Sequence, residues 1–231
     1  MLKLYCQQDI TMYTIVINEG RCIWMLVKIC GLTRPEEAGY LNENGADLAG
    51  FVLFFPKSKR NITVDRAREI MALLDNRIKT VAVVVAPGAT EIKVIADAGF
   101  DLVQIHGDVS GELLQLAAER GLKVLKAFNV SDMDKYEYFH SRPEIAGYVF
   151  DAAVPGSGQT FDWSLVKDIP RDEKLLILAG GLHPGNVAEA VAALQPDGVD
   201  VSSGVEFDGD VFRGKDPDKV SEFTEAAKKK A

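Results

Sequence analysis

The chain has 231 residues, 47% of them hydrophobic, which suits one domain of barrel or doubly wound size with a full core. Its formal charge of −8 speaks against a nucleic-acid partner, because a phosphate backbone requires a basic face; an anionic ligand must be held locally, by a few basic side chains, backbone N–H groups or helix N-termini. Three cysteines without CxxC spacing, three scattered histidines, no run of transmembrane length and no recognisable signal peptide lead us to expect a cytoplasmic protein without a disulfide framework, metal site or membrane contact.

Residues 1–24 stand apart as an N-terminal extension. Thr11–Ile17 has strand character and Asn18-Glu19-Gly20 could turn it, while Cys6 and Cys22 read as ordinary thiols. From Met25 the pattern becomes regular, so 25–231 is taken as the domain. Short apolar runs of strand type fall at 26–30, 48–54, 80–85, 102–106, 123–128, 147–151, 175–179 and 198–202. Continuous Val, Ile and Leu, with little alternation, mark strands buried on both faces. Helical patterns lie between them. Pro35–Asn44 ends at Gly45, a C-terminal capping glycine, and Thr63–Leu74 opens on a capping threonine. Residues 91–98, 110–120, 184–194 and 216–229 follow, with weaker patterns at 131–140 and 162–168.

Eight strand–helix units in about two hundred residues make an α/β chain of the (β/α)₈, or TIM, barrel class. A dinucleotide-binding fold would need Gly-x-Gly-x-x-Gly after the first strand, but Gly31 is followed by Leu-Thr-Arg.

In such a barrel the chemistry sits at the C-terminal strand ends. Strand one ends in Cys30, and strand two runs into the basic loop Lys57-Ser58-Lys59-Arg60. Strand four ends in His106 and strand six in Asp151, before the loop Val154–Gln159. Gly180-Gly181 follows strand seven, and Ser202-Ser203-Gly204 follows strand eight. Small residues after the seventh and eighth strands suit a phosphate, because backbone N–H groups can approach it, and a short helix after Gly204 would add its positive end. Tight turns explain either loop alone equally well; the two together, in the seventh and eighth positions, favour phosphate. Cys30 and Asp151 are the strand-tip pair suited to acid/base work, with strands one and six on opposite sides of the ring. Taken alone, Cys30 could be a buried small residue. Arg60 has the fork to grip a carboxylate or phosphate, whereas Lys57 and Lys59 read as solvated. His106 and Asp200 are either pocket-lining or structural, and His140, His183, Trp24 and Trp163 are read as packing or surface residues.

The segments VKICGLT (27–33), GFVLFFPKSKRNIT (50–63), VQIHG (103–107), FDAAVPGSGQTFDW (150–163), AGGLHPGNV (179–187) and VDVSSGVE (199–206) resemble the phosphoribosylanthranilate isomerase family of tryptophan biosynthesis, as does Gly214-Lys215-Asp216 before the last helix. The resemblance implies a cofactor-free (β/α)₈ barrel that carries out an Amadori rearrangement of a small phosphosugar. It implies Cys30 as general base, Asp151 as general acid, and Arg60 at the anthranilate carboxylate. It also implies phosphate binding by Gly180, Gly181, Ser202, Ser203 and Gly204, and a pocket role for His106 and Asp200. The chain departs from that pattern at Val84 and Ala86, where Phe and Asn are common, at Gln159 in place of Lys or Arg, and at Ala179 in place of Ser. Two alternatives remain: another phosphosugar isomerase, which would carry a carboxylate where Cys30 stands, and a non-catalytic phosphosugar-binding barrel. Monomer and homodimer are both compatible with the sequence.

Overall fold

The strand runs are mostly apolar because each lies between a barrel interior and a jacket of helices. The computed structural model describes residues 25–129, 135–151, 169 and 173–229. Its strands are β1 (Leu26–Cys30), β2 (Leu48–Val52), β3 (Lys79–Val85), β4 (Leu102–His106), β5 (Lys123–Asn129), β6 (Ile145–Asp151), β7 (Leu175–Leu178) and β8 (Gly198–Val201). All neighbours are parallel and pair in chain order, and β8 closes on β1. The described helices are α1 (Glu36–Asn44), α2 (Val64–Met71), α3 (Ala89–Asp97), α4 (Gly111–Glu119), α5 (Tyr136–His140), α6 (Val187–Leu194) and α7 (Pro217–Lys228).

Alternate residues of each strand enter two separate cores. Leu48, Val81, Val83, Leu102, Leu125, Val149 and Ile177 fill the interior, together with Cys30, Ala127 and Ala179. Their neighbours Val27, Ile29, Phe51, Ala82, Val84, Ile105 and Phe150 face outward, where Leu41, Ile70, Ile95, Leu114, Val191 and Phe223 of the helices cover them. Each large side chain so buried contributes about 1.5–3 kcal/mol.

The predicted helix ends hold in several places. Gly45 closes α1 at φ 69° and donates its amide to the Leu41 carbonyl, Thr63 caps α2, and Asp216 caps α7 ahead of Pro217. Other boundaries move. The predicted start at Pro184 shifts to Val187, because the Asn186 side chain accepts from the His183 amide at 2.8 Å and donates to the Gly181 carbonyl at 3.0 Å, which holds 183–186 as a turn. β2 ends at Val52 where the run suggested residue 54; Phe54 is already left-handed at φ 57°. Residues 1–24, the pattern at 162–168, the loop 154–159 with Gln159, and Trp163 lie outside the described residues, as does the start of the weak pattern at 131–140, of which Tyr136–His140 is helical.

At the N-terminal end of the barrel, three aspartates repeat one device. Asp47, Asp101 and Asp197 directly precede β2, β4 and β8. Their carboxylates accept the amides of Val27, Thr80 and Leu176 on the preceding strands, each at 2.8 Å. Each charge-assisted bond ties an even strand to the odd strand before it.

Ala86, just past β3, has φ 44°, a left-handed conformation in which a Cβ is unfavourable. Ala86→Gly is expected to stabilise the fold by about 1 kcal/mol, raising the melting temperature by roughly 2–4 °C for a chain of this size. Calorimetry checks it, and an unchanged or lower midpoint overturns it.

Candidate active site

Strand parity sends two polar side chains of β1 into the barrel, Lys28 and, one layer nearer the mouth, Cys30. Lys28 is fully buried, and its ammonium donates to Asp200 Oδ2 at 2.7 Å across the β1–β8 pairing, where the two residues are in register. The second carboxylate oxygen of Asp200, Oδ1, is buried and has no hydrogen-bond partner among the described residues. Cys30 is 8% exposed. Gly50 on β2 leaves room for both heads: a Cβ there would lie 3.0 Å from the Cys30 sulfur and 3.2 Å from the Lys28 nitrogen.

Burial pushes the Cys30 thiol up; the ammonium of Lys28 pulls the other way, as does that of Lys215, while Asp200 adds to the rise. Burial also pushes the Asp200 carboxyl up, and Lys28 offsets part of it. Lys28 holds its own proton more tightly than an ordinary lysine; burial opposes this, but Asp200 and Cys30 outweigh it.

A second cluster stands above this pair. Glu206, buried after β8, gathers three cations: Arg60 Nε at 2.5 Å, Lys59 Nζ at 2.9 Å and Lys215 Nζ at 3.3 Å. Lys215 also donates to the Ser202 carbonyl at 3.0 Å, and its amide donates to Glu37 Oε1 at 2.7 Å. Ser202 Oγ donates to the Cys30 carbonyl at 3.0 Å, which ties the cluster back to β1. Lys59, expected to be solvated, is therefore a partner of Glu206 at an exposed position. Arg60 gives its Nε to Glu206, and among the described residues nothing accepts a hydrogen bond from its outer guanidinium nitrogens.

The β7 and β8 loops touch backbone to backbone. Gly180 and Gly181 are left-handed, at φ 84° and 67°, and a Cβ on Gly204 would fall on the Leu182 carbonyl oxygen. Among the described residues, none accepts a hydrogen bond from the amides of Gly181, Leu182, Ser203 or Gly204. The helix expected after Gly204 is instead a single 3₁₀ turn, Ser203–Val205, which starts inside the Ser-Ser-Gly run because the chain must bend at once to place Glu206 beneath Arg60. His106 ends β4 with its Nε2 2.9 Å from Gln104 Nε2 on the same inner face. Asp151 ends β6, in register with Asn129 of β5; β6 lies three strands from β1 by the shorter way round, across the mouth but not diametrically opposite.

Three family departures fall at described positions. Val84 packs in the outer layer under the helices, so its change from Phe alters packing and not the pocket lining. Ala86 is the left-handed residue after β3, and Ala179 lines the interior. Lys28, Glu206, Lys215 and Glu37 were missed as site residues. The signal for Lys28 was present: a lysine inside an apolar strand, two residues before Cys30 and so on the same face.

The three cations outweigh burial and hold the Glu206 carboxyl below the usual glutamate range. A carboxyl depressed in the folded state contributes stability above its unfolded pKa of about 4.3, and that stability is lost as pH falls through the folded value. Glu206→Gln is expected to cost about 3 kcal/mol at pH 7, and the gap to wild type should narrow as denaturation is repeated below about pH 4.3. A gap independent of pH overturns this.

The sequence profile of N-(5'-phosphoribosyl)anthranilate (PRA) isomerase matches residues 27–226. An N-(5'-phosphoribosyl)anthranilate isomerase of Geotalea uraniireducens (strain Rf4) is 41% identical over 207 residues, covering 87% of this chain and 98% of that protein. The crystal structure of phosphoribosyl anthranilate isomerase from Thermotoga maritima superposes with a TM-score of 0.78 at 40% identity, covering 89% of this chain and all of that one. A crystal structure of a phosphoribosyl anthranilate isomerase in complex with reduced 1-(o-carboxyphenylamino)-1-deoxyribulose 5-phosphate gives a TM-score of 0.74 at 38% identity, again over 89% of this chain and the whole of the other. A closed barrel with its polar residues gathered at the C-terminal strand ends, matched along nearly its whole length, belongs to the phosphoribosylanthranilate isomerase family.

Proposed function

We propose that the chain isomerises N-(5-phosphoribosyl)anthranilate to 1-(2-carboxyphenylamino)-1-deoxyribulose 5-phosphate, the Amadori step of tryptophan biosynthesis. Asp151 protonates the furanose ring oxygen, and the anilino nitrogen's electron pair opens the ring to a Schiff base. Cys30, as thiolate, takes the proton from C2′, and the electron pair left behind forms an enolamine that tautomerises to the ketone. Arg60 meets the anthranilate carboxylate with its outer guanidinium nitrogens. The amides of the Gly180-Gly181 and Ser202-Ser203-Gly204 loops take the phosphate, and Asp200 and His106 line the pocket. Binding the non-reacting phosphate orients the sugar for both proton transfers.

The observation that carries this reading is the pairing, on one rim, of an inward thiol above a buried ammonium with two touching loops in which the amides of Gly181, Leu182, Ser203 and Gly204 have no acceptor among the described residues. The ligand class is thus a small anionic phosphosugar. No described helix is long and apolar enough to cross a membrane, and a cytoplasmic location is part of the proposal. Residues 25–231 are the catalytic domain, and residues 1–24 an extension outside it.

A fluorescence assay with freshly made phosphoribosylanthranilate tests the roles. Cys30→Ser and Asp151→Asn should each lower kcat by about a hundredfold or more, within the usual range for an acid or base, with phosphate binding kept. Normal turnover in Asp151→Asn sinks the mechanism. A chain beginning at Met25 should fold and turn over like the full one; precipitation or loss of activity would mean that residues 1–24 belong to the working domain.

A further inference from the structure

Among the described residues, the barrel interior apart from Cys30, Gln104 and Asp200 is filled mainly by Leu, Val, Ile and Ala, yet it contains a lysine with no exposed surface. Packing does not account for it. A buried ion pair is costly to desolvate, and an apolar side chain of similar length would serve the fold as well or better. Chemistry at its position does. Lys28 lies two residues before Cys30 on the same strand and the same face, and the Gly50 gap brings its nitrogen and the Cys30 sulfur against one small volume. On its other side Asp200 Oδ2 holds it at 2.7 Å.

The charged and titratable groups around this point are few. β1 offers Lys28, β8 offers Asp200, and β2 offers Gly50, which carries no charge. Lys215, from the segment before α7, is the next cation, but it is already committed to Glu206 and the Ser202 carbonyl; Arg60, whose side chain packs against Gly31 beside Cys30, gives its Nε to Glu206, and Lys59 also pairs with Glu206. Asp151 stands across the mouth at the end of β6. Lys28 is thus the buried cation set beside the thiol from its own strand.

We propose that Lys28 is a positioning residue for the isomerisation: clamped by Asp200, its ammonium sustains the thiolate of Cys30 against the cost of burial. This rests on the reading of Cys30 as the base. In the transfer itself the C2′–H bond breaks, an S–H bond forms, and the electron pair left on carbon passes into the Schiff base. Lys28 keeps its proton, so the Lys28–Asp200 pair remains intact while the thiolate charge beside it is neutralised.

The test uses the full chain with Cys6→Ser and Cys22→Ser, so that Cys30 is its single thiol. Thiolate absorbance in the ultraviolet is titrated alongside the pH dependence of kcat. Lys28→Met should raise the thiol pKa and move the acid limb of kcat upward together by about one unit, with kcat at pH 7 falling about tenfold and KM changing less than about threefold. A merely structural role would lower the yield of folded enzyme without moving either titration. Because Lys28→Met strands the Asp200 carboxyl, Lys28→Met/Asp200→Asn is read in parallel; it removes both charges, and its thiol should still titrate above the wild-type value. An unshifted thiol in both variants overturns the proposal, as does failure of both to fold, which would make the lysine structural. Cys30→Ser separates the two readings. If it is inactive while Lys28→Met is unshifted, the role of Lys28 alone falls; if it turns over normally, the role of Cys30 falls as well.

Discussion

The pairing of β1 with β8 is the constraint on which the rest of the molecule depends. It closes the ring, and its register sets Lys28 opposite Asp200 inside the barrel. Above that pair the same seam carries the Ser202 bond to the Cys30 carbonyl, then Lys215 on Ser202, then Glu206 with Arg60. A slip of one residue would turn Lys28 and Cys30 into the helix layer and bring Val27 and Ile29 into the interior. The ion pair adds little net stability, since desolvating two charges consumes most of their attraction, but it strongly disfavours any register that leaves either charge alone.

The two ends of the barrel divide the work. At the N-terminal end, Asp47, Asp101 and Asp197 have their carboxylates spent on strand amides and serve the architecture. At the C-terminal end lie groups that have unused bonding capacity among the described residues: Asp200 Oδ1, the outer nitrogens of Arg60 and the amides of Gly181, Leu182, Ser203 and Gly204. That separation lets a chain with a net charge of −8 present a locally positive rim to an anionic ligand. Glu206 concentrates Arg60, Lys59 and Lys215 there and orients them while cancelling one of their charges.

Cys30 shows how one position answers to two demands. Its place on the inner face excludes water, which makes the thiolate expensive; the same exclusion strengthens the field of the lysine beside it. The family departures sort by the same geometry. Val84 belongs to the outer packing layer, whereas Ala86 bears on backbone conformation at the mouth.

The sequence by itself determined the architecture. Eight continuous apolar runs, spaced by helical patterns and punctuated by Gly45, Thr63 and Asp216, leave little besides a closed parallel barrel, because strands without alternation must be covered on both faces. It also placed Cys30, Asp151, Arg60 and the two small-residue loops at C-terminal strand ends, since fold class alone assigns loops to faces. It did not reveal that Glu206 and Lys215, remote from Arg60 along the chain, converge on it, nor that the helix after β8 shrinks to one turn. It left Lys28 unread as a partner of Asp200, although period-two alternation had already put Lys28 and Cys30 on one face. Those relations were decided by closure of the ring, which joins residues about 170 positions apart, and pairing at that distance leaves no local periodicity in the chain.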